Sequence, residues 1–184
     1  GYQGHRRLLH RVTVAERDVL EVDVLYVGAG PANLASALRL TQLIKEHNVA
    51  IDAGQKTGEK LTPMIVILEK AINLGAHTLS GAVMDPKALN ELLPDWEKMD
   101  PPPFVDVKQD EFHIMTPGGS IKAPINPPFL NNHGNKIISL GDTVKWLGEL
   151  VQKEGIDLFL GIPGSEILVE GNRVIGVRTG DKGI

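Results

Sequence analysis

Gly28, Gly30, Pro31, Ala32 and Asn33 follow a short apolar run at 23–27 and open a helical pattern that runs from Pro31 to about Glu46. Residues of these types in this order suit the binding of a pyrophosphate. Glycine at 28 can take up the backbone of a tight strand-to-helix turn, and glycine at 30 puts no side chain between a phosphate and the backbone amides. The start of the helix supplies unpaired N–H groups and a partial positive charge. Pro31 suits the first helical turn, where a missing N–H costs nothing. The third glycine of the G-x-G-x-x-G fingerprint is replaced by Asn33, a departure expected to weaken helix-on-strand packing more than phosphate binding. An ordinary glycine turn is the rival reading, and the placement between strand and helix favours the nucleotide.

Two further groups could complete such a site. Glu69 ends a second apolar run, 64–68, where dinucleotide folds place an acidic residue that accepts hydrogen bonds from a ribose hydroxyl. The interval from the glycines is longer than usual, and the polar loop at 52–63 accounts for the excess. A solvated strand-end glutamate is the alternative. Residues 75–84, GAHTLSGAVM, hold a second glycine-rich segment in which His77, Thr78 and Ser80 carry polar groups. Such a segment can bring backbone close to a flat cofactor and hydrogen-bond its edge. It reads equally as a loop, in which His77 is a local hydrogen-bonding residue.

The elements that must position these residues follow from periodicity. After the strand at 23–27, Leu34, Ala37, Leu38, Leu40 and Ile44 form one apolar stripe of a helix laid on a sheet, closed by His47 and Asn48. The run at 64–68 has the unbroken apolar character of a strand buried in a parallel sheet. Asp85 and Pro86 start a short helix with Leu89, Leu92 and Leu93 on one face, finished by Trp96; that face suits a core or a membrane interface. Strands at 111–115 and 120–124 flank Pro117-Gly118-Gly119 as a hairpin, and 124–135 is an irregular amide-rich loop. A strand at 136–140, a helix capped by Asp142 with Val144, Leu147, Leu150 and Val151 inward, and a strand at 157–160 follow. A hairpin at 165–170 and 173–179 turns on Gly171-Asn172. The architecture is α/β with additional antiparallel strands, in one domain at 21–184 behind an N-terminal arm at 1–20.

Composition narrows the chemistry. The 184 residues carry a formal charge of -4 and no cysteine, so there is no disulfide framework, no thiolate metal site and no cysteine-held iron–sulfur cluster within the chain. The acidic balance gives no general reason to expect nucleic acid, and no apolar run approaches the ~20 residues of a membrane-spanning helix. Membrane contact would have to be peripheral. Opening on Gly1 and stopping at Ile184 without a closing element, the chain reads as a processed or truncated piece.

GAGPA at 28–32, LEK at 68–70, GAHTLSGA at 75–82, PDW at 94–96, NNHGN at 131–135 and the following SLGDTVKWLGE resemble the N-terminal part of the electron transfer flavoprotein-ubiquinone oxidoreductases. The first motif is common to many flavoproteins; GAHTLSGA together with NNHGN is far more specific. The resemblance implies an incomplete FAD-binding domain of the glutathione-reductase type (Rossmann-like), in a monotopic enzyme at an inner or cytoplasmic membrane face. Such an enzyme takes electrons from reduced electron transfer flavoprotein, through FAD and a 4Fe-4S cluster, to a membrane quinone. It implies that Gly28, Gly30, Pro31, Ala32 and Asn33 face the FAD pyrophosphate and Glu69 the adenosine ribose, with Lys70 of the same motif among the cofactor-binding residues. Gly75, His77, Thr78, Leu79, Ser80 and Gly81 would lie along the flavin side, with His77 a flavin neighbour and His133 a weaker one. Residues 75–96 would form a membrane-surface segment, so that the helix at 86–93 is at least as fit to meet lipid as core. The cluster, the quinone site and the later flavin-binding segment would lie in a C-terminal region, and this chain alone would bind FAD weakly and reduce no quinone. Related readings are a geranylgeranyl-reductase-like flavin reductase or monooxygenase, and a non-catalytic nucleotide-binding subunit. The chemistry implied is electron transfer, and no catalytic acid is identifiable.

Overall fold

The computed structural model describes residues 17–125 and 127–180; most of the arm read at 1–20 lies outside them. Strand β1 (Val24–Val27) leads through the glycine turn into helix α1 (Pro31–Asp52), and β2 (Ile65–Glu69) returns parallel to β1. A distant strand, β8 (Asp157–Leu160), adds to the other side of β2, so the parallel sheet has the order β1-β2-β8. The central strand is the one with the unbroken apolar sequence: Ile65, Val66, Ile67 and Leu68 are all buried. The fold is mixed α/β, as the periodicities require.

Helix α1 runs six residues past the expected end at Glu46, and the physical reason lies in its last turns. Asn48 does not stop the helix. Its side chain faces the loop after α1, accepting from the Leu61 N–H and donating to the Leu61 carbonyl, both at 2.8 Å. The Nε2 of His47 lies 3.0 Å from the Glu59 carbonyl oxygen. The two residues read as a helix end tie the 52–63 loop down to the helix instead.

Helix α3 (Leu140–Lys153) packs beside α1 on the parallel sheet, with Val144, Leu147, Leu150 and Val151 buried as expected. Its cap is Ser139, three residues ahead of the expected Asp142. The Ser139 hydroxyl accepts from the Asp142 N–H, which places Asp142 in the first turn, where its charge opposes the helix dipole. Gly155 follows the helix at φ 83°, a left-handed position suited to glycine.

A second, antiparallel sheet was only partly legible. Strands β3 (Gly81–Met84) and β4 (Phe104–Asp106) flank β7 (Lys136–Ser139), giving the order β3-β7-β4. The glycine-rich 75–84 segment therefore ends as a strand rather than a loop. Separate hairpins pair β5 (His113–Thr116) with β6 (Gly119–Lys122), and β9 (Gly164–Glu170) with β10 (Arg173–Thr179).

The short helix α2 (Lys87–Leu92) turns its apolar face inward. Leu89 is buried, Leu92 and Leu93 pack against the core, and Trp96 is 3% exposed. The Trp96 ring lies 5.2 Å from Phe104 and 6.4 Å from Trp146, and its Nε1 donates to Asn90 Oδ1 at 2.7 Å. Between core and lipid, these four side chains have taken the core. Lys136 closes the cluster: its ammonium sits 4.3 Å from the Phe104 ring centroid and pairs with Glu97 and Asp106 at 2.9 and 2.8 Å. Hydrogen bonds to those two carboxylates, Asp106 first, raise its pKa.

Candidate functional site

The turn between β1 and α1 is held by bonds from three directions. The Gly28 N–H donates to the Leu68 carbonyl at 2.7 Å, which ties the turn to β2. Asn33 Nδ2 donates to the carbonyls of Val27 and Gly28 at 3.0 and 2.8 Å. Glu69 Oε2 accepts from the Ala29 N–H at 2.7 Å, while Oε1 accepts from the Ala71 N–H at 2.8 Å. Asn33 thus compensates for the missing third glycine. Instead of allowing a closer approach of helix and strand, it laces the turn to its own side chain.

What remains open is the start of α1. Gly30 is the N-cap residue, no side chain caps the helix, Pro31 follows, and the first turn contains no acidic residue. The N–H groups of such a first turn lack intrahelical acceptors and favour an anion. Gly28 has φ 96°, a conformation that requires glycine, but Gly30 does not. A Cβ built on Gly30 meets nothing within 4 Å, so no protein atom demands a glycine there. The missing side chain leaves room beside the amides for an external group. This cradle, with Glu69 at its edge, fits the pyrophosphate and ribose of a dinucleotide. Each carboxylate oxygen accepts one amide and keeps capacity for a hydroxyl donor.

The second glycine-rich segment is positioned for another reason. Gly75 lies at φ 74°, and a Cβ there would come 2.4 Å from the backbone oxygen of Gly141 in α3. A Cβ on Gly148, two turns along the same helix, would come 2.3 Å from Leu74 Cδ1. The Thr78 hydroxyl donates to the Gly75 carbonyl, and the Leu140 N–H donates to the Ser80 carbonyl. The motifs GAHTLSGA and SLGDTVKWLGE are therefore two sides of one close joint. His77, Leu79, Ser80 and Gly81 are exposed on it, as is Lys70 after β2.

The amide-rich loop is also bound to itself. Asp110 accepts from the Asn132 N–H at 2.8 Å and from its Nδ2 at 2.9 Å, which holds the Asp110 carboxyl below its ordinary pKa, the side-chain bond contributing most. Asn131 and Asn135 bond within the loop, to the His133 N–H and to Asn132. His133 is exposed beside an open polar depression with Asp85, Lys87 and Glu91. Sequence reasoning missed Asp110 and the bracing role of Asn33. An Asp twenty-two residues ahead of Asn132 leaves no local signal.

The proteins most informative for comparison are longer. Electron transfer flavoprotein-ubiquinone oxidoreductase of Dictyostelium discoideum is 43% identical over 169 residues, 91% of this chain, and that of Bos taurus is 42% identical over 171 residues, 92% of it. This chain is similar to the N-terminal quarter of electron transfer flavoprotein-ubiquinone oxidoreductase. It spans 26% of the length of either relative. A probable electron transfer flavoprotein-ubiquinone oxidoreductase of Acinetobacter baylyi is 38% identical and is covered to 28%. No family model matches the sequence. At the level of fold, the chain is similar to a myxobacterial chondrochloren halogenase described as a variant of FAD-dependent halogenases. The TM-score is 0.53 at 14% identity, over 86% of this chain and 32% of the halogenase. A geranylgeranyl bacteriochlorophyll reductase-like protein from Thermoplasma acidophilum gives a TM-score of 0.50 at 18% identity, over 86% and 34% of the two chains. The α/β architecture is shared with these solved structures.

Proposed function

We propose that this chain binds FAD as part of an oxidoreductase that passes electrons from reduced electron transfer flavoprotein to a membrane quinone. The observation that carries the FAD reading is the cradle: a braced turn, an uncapped helix start, and a glycine whose vacant Cβ position no protein atom needs. In this reading Gly28, Gly30, Pro31, Ala32 and Asn33 surround the pyrophosphate, with backbone N–H groups of Gly30, Ala32 and Asn33 donating to it. Glu69 accepts from the adenosine ribose, with Lys70 beside it. Gly75, His77, Thr78, Leu79, Ser80 and Gly81 run along the flavin, on a segment whose Gly75 packs closely against α3. FAD supplies the electron-transfer chemistry, and the protein's part is to bind, orient and tune it. With no cysteine in the sequence, a 4Fe-4S cluster is assigned to another part of the longer enzyme.

The membrane-facing surface is proposed at a different place from the one the motifs suggested. On the β5–β6 hairpin, Ile114 and Ile121 form a cross-strand pair on one face, both more than half exposed, and Met115, on the other face, is 76% exposed. Ile125 and Phe129 in the next loop are 78% and 85% exposed. A bilayer interface accounts for such a concentration of apolar surface. No helix among the described residues is long and apolar enough to cross a membrane.

Amide NMR of the chain titrated with FAD tests the central reading. The signals of Gly30, Ala32 and Asn33 are expected to move together at weak, saturable affinity. A titration to millimolar FAD that leaves them in place refutes it. For the surface, changing Ile114, Met115 and Ile121 to Ser is expected to reduce sedimentation with phospholipid vesicles while leaving stability almost unchanged. Undiminished sedimentation moves the contact elsewhere.

A further inference from the structure

The position of Glu69 suggests more than ribose recognition. Its two carboxylate oxygens hold two different peptides, Ala29 in the glycine turn at 2.7 Å and Ala71 beyond β2 at 2.8 Å. Ala29 is 3% exposed and lies between the two glycines, so its N–H has no water to turn to. A dinucleotide reading of this turn counts every backbone N–H as available to phosphate. Here the Ala29 N–H is committed to Glu69, and Pro31 has none. The donors that remain are at Gly30, Ala32 and Asn33, and the Gly30 N–H follows directly on the residue that Glu69 holds.

We infer that Glu69 is a positioning residue of the phosphate cradle, orienting its amides through Ala29 independently of any contact with a ribose. The inference rests on the FAD reading above and adds to it a role that a ligand without ribose would detect. Glutamine at 69 keeps the size of the side chain but has one oxygen and one NH2. It can accept from Ala29 or from Ala71, and at the other peptide it sets a donor against a donor.

Sign separates this role from electrostatics. Glu69 places a negative charge beside an anion site, so removing that charge by itself strengthens binding of an anion. Loss of positioning weakens it. Inorganic pyrophosphate, which carries no ribose, is therefore the deciding probe, titrated into the whole chain and read at the Gly30, Ala32 and Asn33 amides. Glu69→Gln is expected to weaken pyrophosphate binding by about tenfold, the scale of one hydrogen bond to a charged group. ADP should then lose at least as much.

Pyrophosphate binding that is unchanged or tighter in Glu69→Gln, with ADP alone weakened, overturns the inference and leaves Glu69 as a ribose ligand. If the unaltered chain binds neither probe nor FAD, the cradle reading fails, and the positioning role is decided on the turn itself. In that case the Ala29 amide should exchange with solvent at least tenfold faster in Glu69→Gln than in the unaltered chain; equal exchange overturns the role. Glu69→Asp serves where the glutamine variant does not fold. It retains the charge, is one methylene too short to span both peptides, and should weaken pyrophosphate in the same direction.

Discussion

Two glycines, Gly75 and Gly30, make opposite demands, and substituting each by alanine separates a ligand's requirement from the protein's own. At Gly75 the added methyl meets two obstacles. The residue lies at φ 74°, which costs a non-glycine residue about 1–2 kcal/mol. The new Cβ also falls 2.4 Å from the Gly141 backbone oxygen, a contact that only movement of the segment against α3 can relieve. Overpacking of this kind costs about 1–3 kcal/mol. Together the two effects predict a loss of about 2–5 kcal/mol for Gly75→Ala, or roughly 10 °C in melting temperature for a chain of this size. Gly30→Ala meets neither obstacle. The residue has φ -78° and ψ 169°, angles that alanine adopts, and open space lies in front of it. The lower flexibility of the unfolded alanine chain is offset by its poorer N-capping, and stability should change by less than about 1 kcal/mol. In the proposed reading the methyl stands where the pyrophosphate approaches, so FAD affinity should fall at least about tenfold, the size of one lost charged hydrogen bond. Urea unfolding followed by circular dichroism, with FAD titration of the same samples, measures both quantities. The reasoning is refuted if Gly30→Ala destabilises as much as Gly75→Ala, or if it retains full FAD affinity.

Other consequences are simpler to read. Replacing Ser139 with Ala removes the only side-chain cap on α3; the long 3.4 Å bond puts the cost at the low end, about 0.5–1 kcal/mol by urea unfolding. Lys136→Met should keep the stem packed on Phe104 and lose the two ion pairs, costing about 1 kcal/mol because Glu97 and Asp106 are 52% and 66% exposed. Since the folded pKa of Lys136 is raised, its contribution is present below 10.5 and disappears as pH rises through the folded value; the variant should show no such alkaline loss. Asp110 behaves in the opposite sense. Its folded pKa is lowered, so its hold on Asn132 contributes above 3.8 and is lost as pH falls through the folded value, an event visible at the Asn132 amide signal by NMR.

Much of the parallel layer, and the separate β9–β10 hairpin, were legible because their signals are local and repeat. Four apolar residues of β2, the inward positions of α3 and the Gly171-Asn172 hairpin each follow from a period or a turn chemistry within a few residues. The C-terminal end of α1 and the start of α3 depart from the expectation for the opposite reason. Asn48 looks like a helix stop until Leu61 is found opposite it, and Ser139 displaces Asp142 because a strand feeds the helix without a loop. Strands β3 and β4 are four and three residues long and owe their existence to β7, which begins 52 residues after β3 ends and 30 after β4 ends. The glycines at 28–30 and 75–81 stand out in the sequence, but the physical reason for each does not. The close approach to Gly141 shows that Gly75 is needed by a helix, whereas nothing in the protein lies near a Cβ on Gly30. The apolar face of α2 shows the same limit: periodicity finds the face, and Phe104 and Trp146 decide what it meets.

The aromatic cluster determines what light can report about this protein. The sequence contains two tryptophans, and both belong to that cluster, their rings 6.4 Å apart, with the Lys136 ammonium 5.7 Å from one of them. Intrinsic emission therefore has a single address, the junction of α2, β4 and α3. A change in its wavelength signals water entering that junction, whereas events confined to the glycine turn leave the colour unaltered. In a scan of variants, emission and amide signals become independent channels: one for the integrity of the scaffold, the other for the cradle it holds.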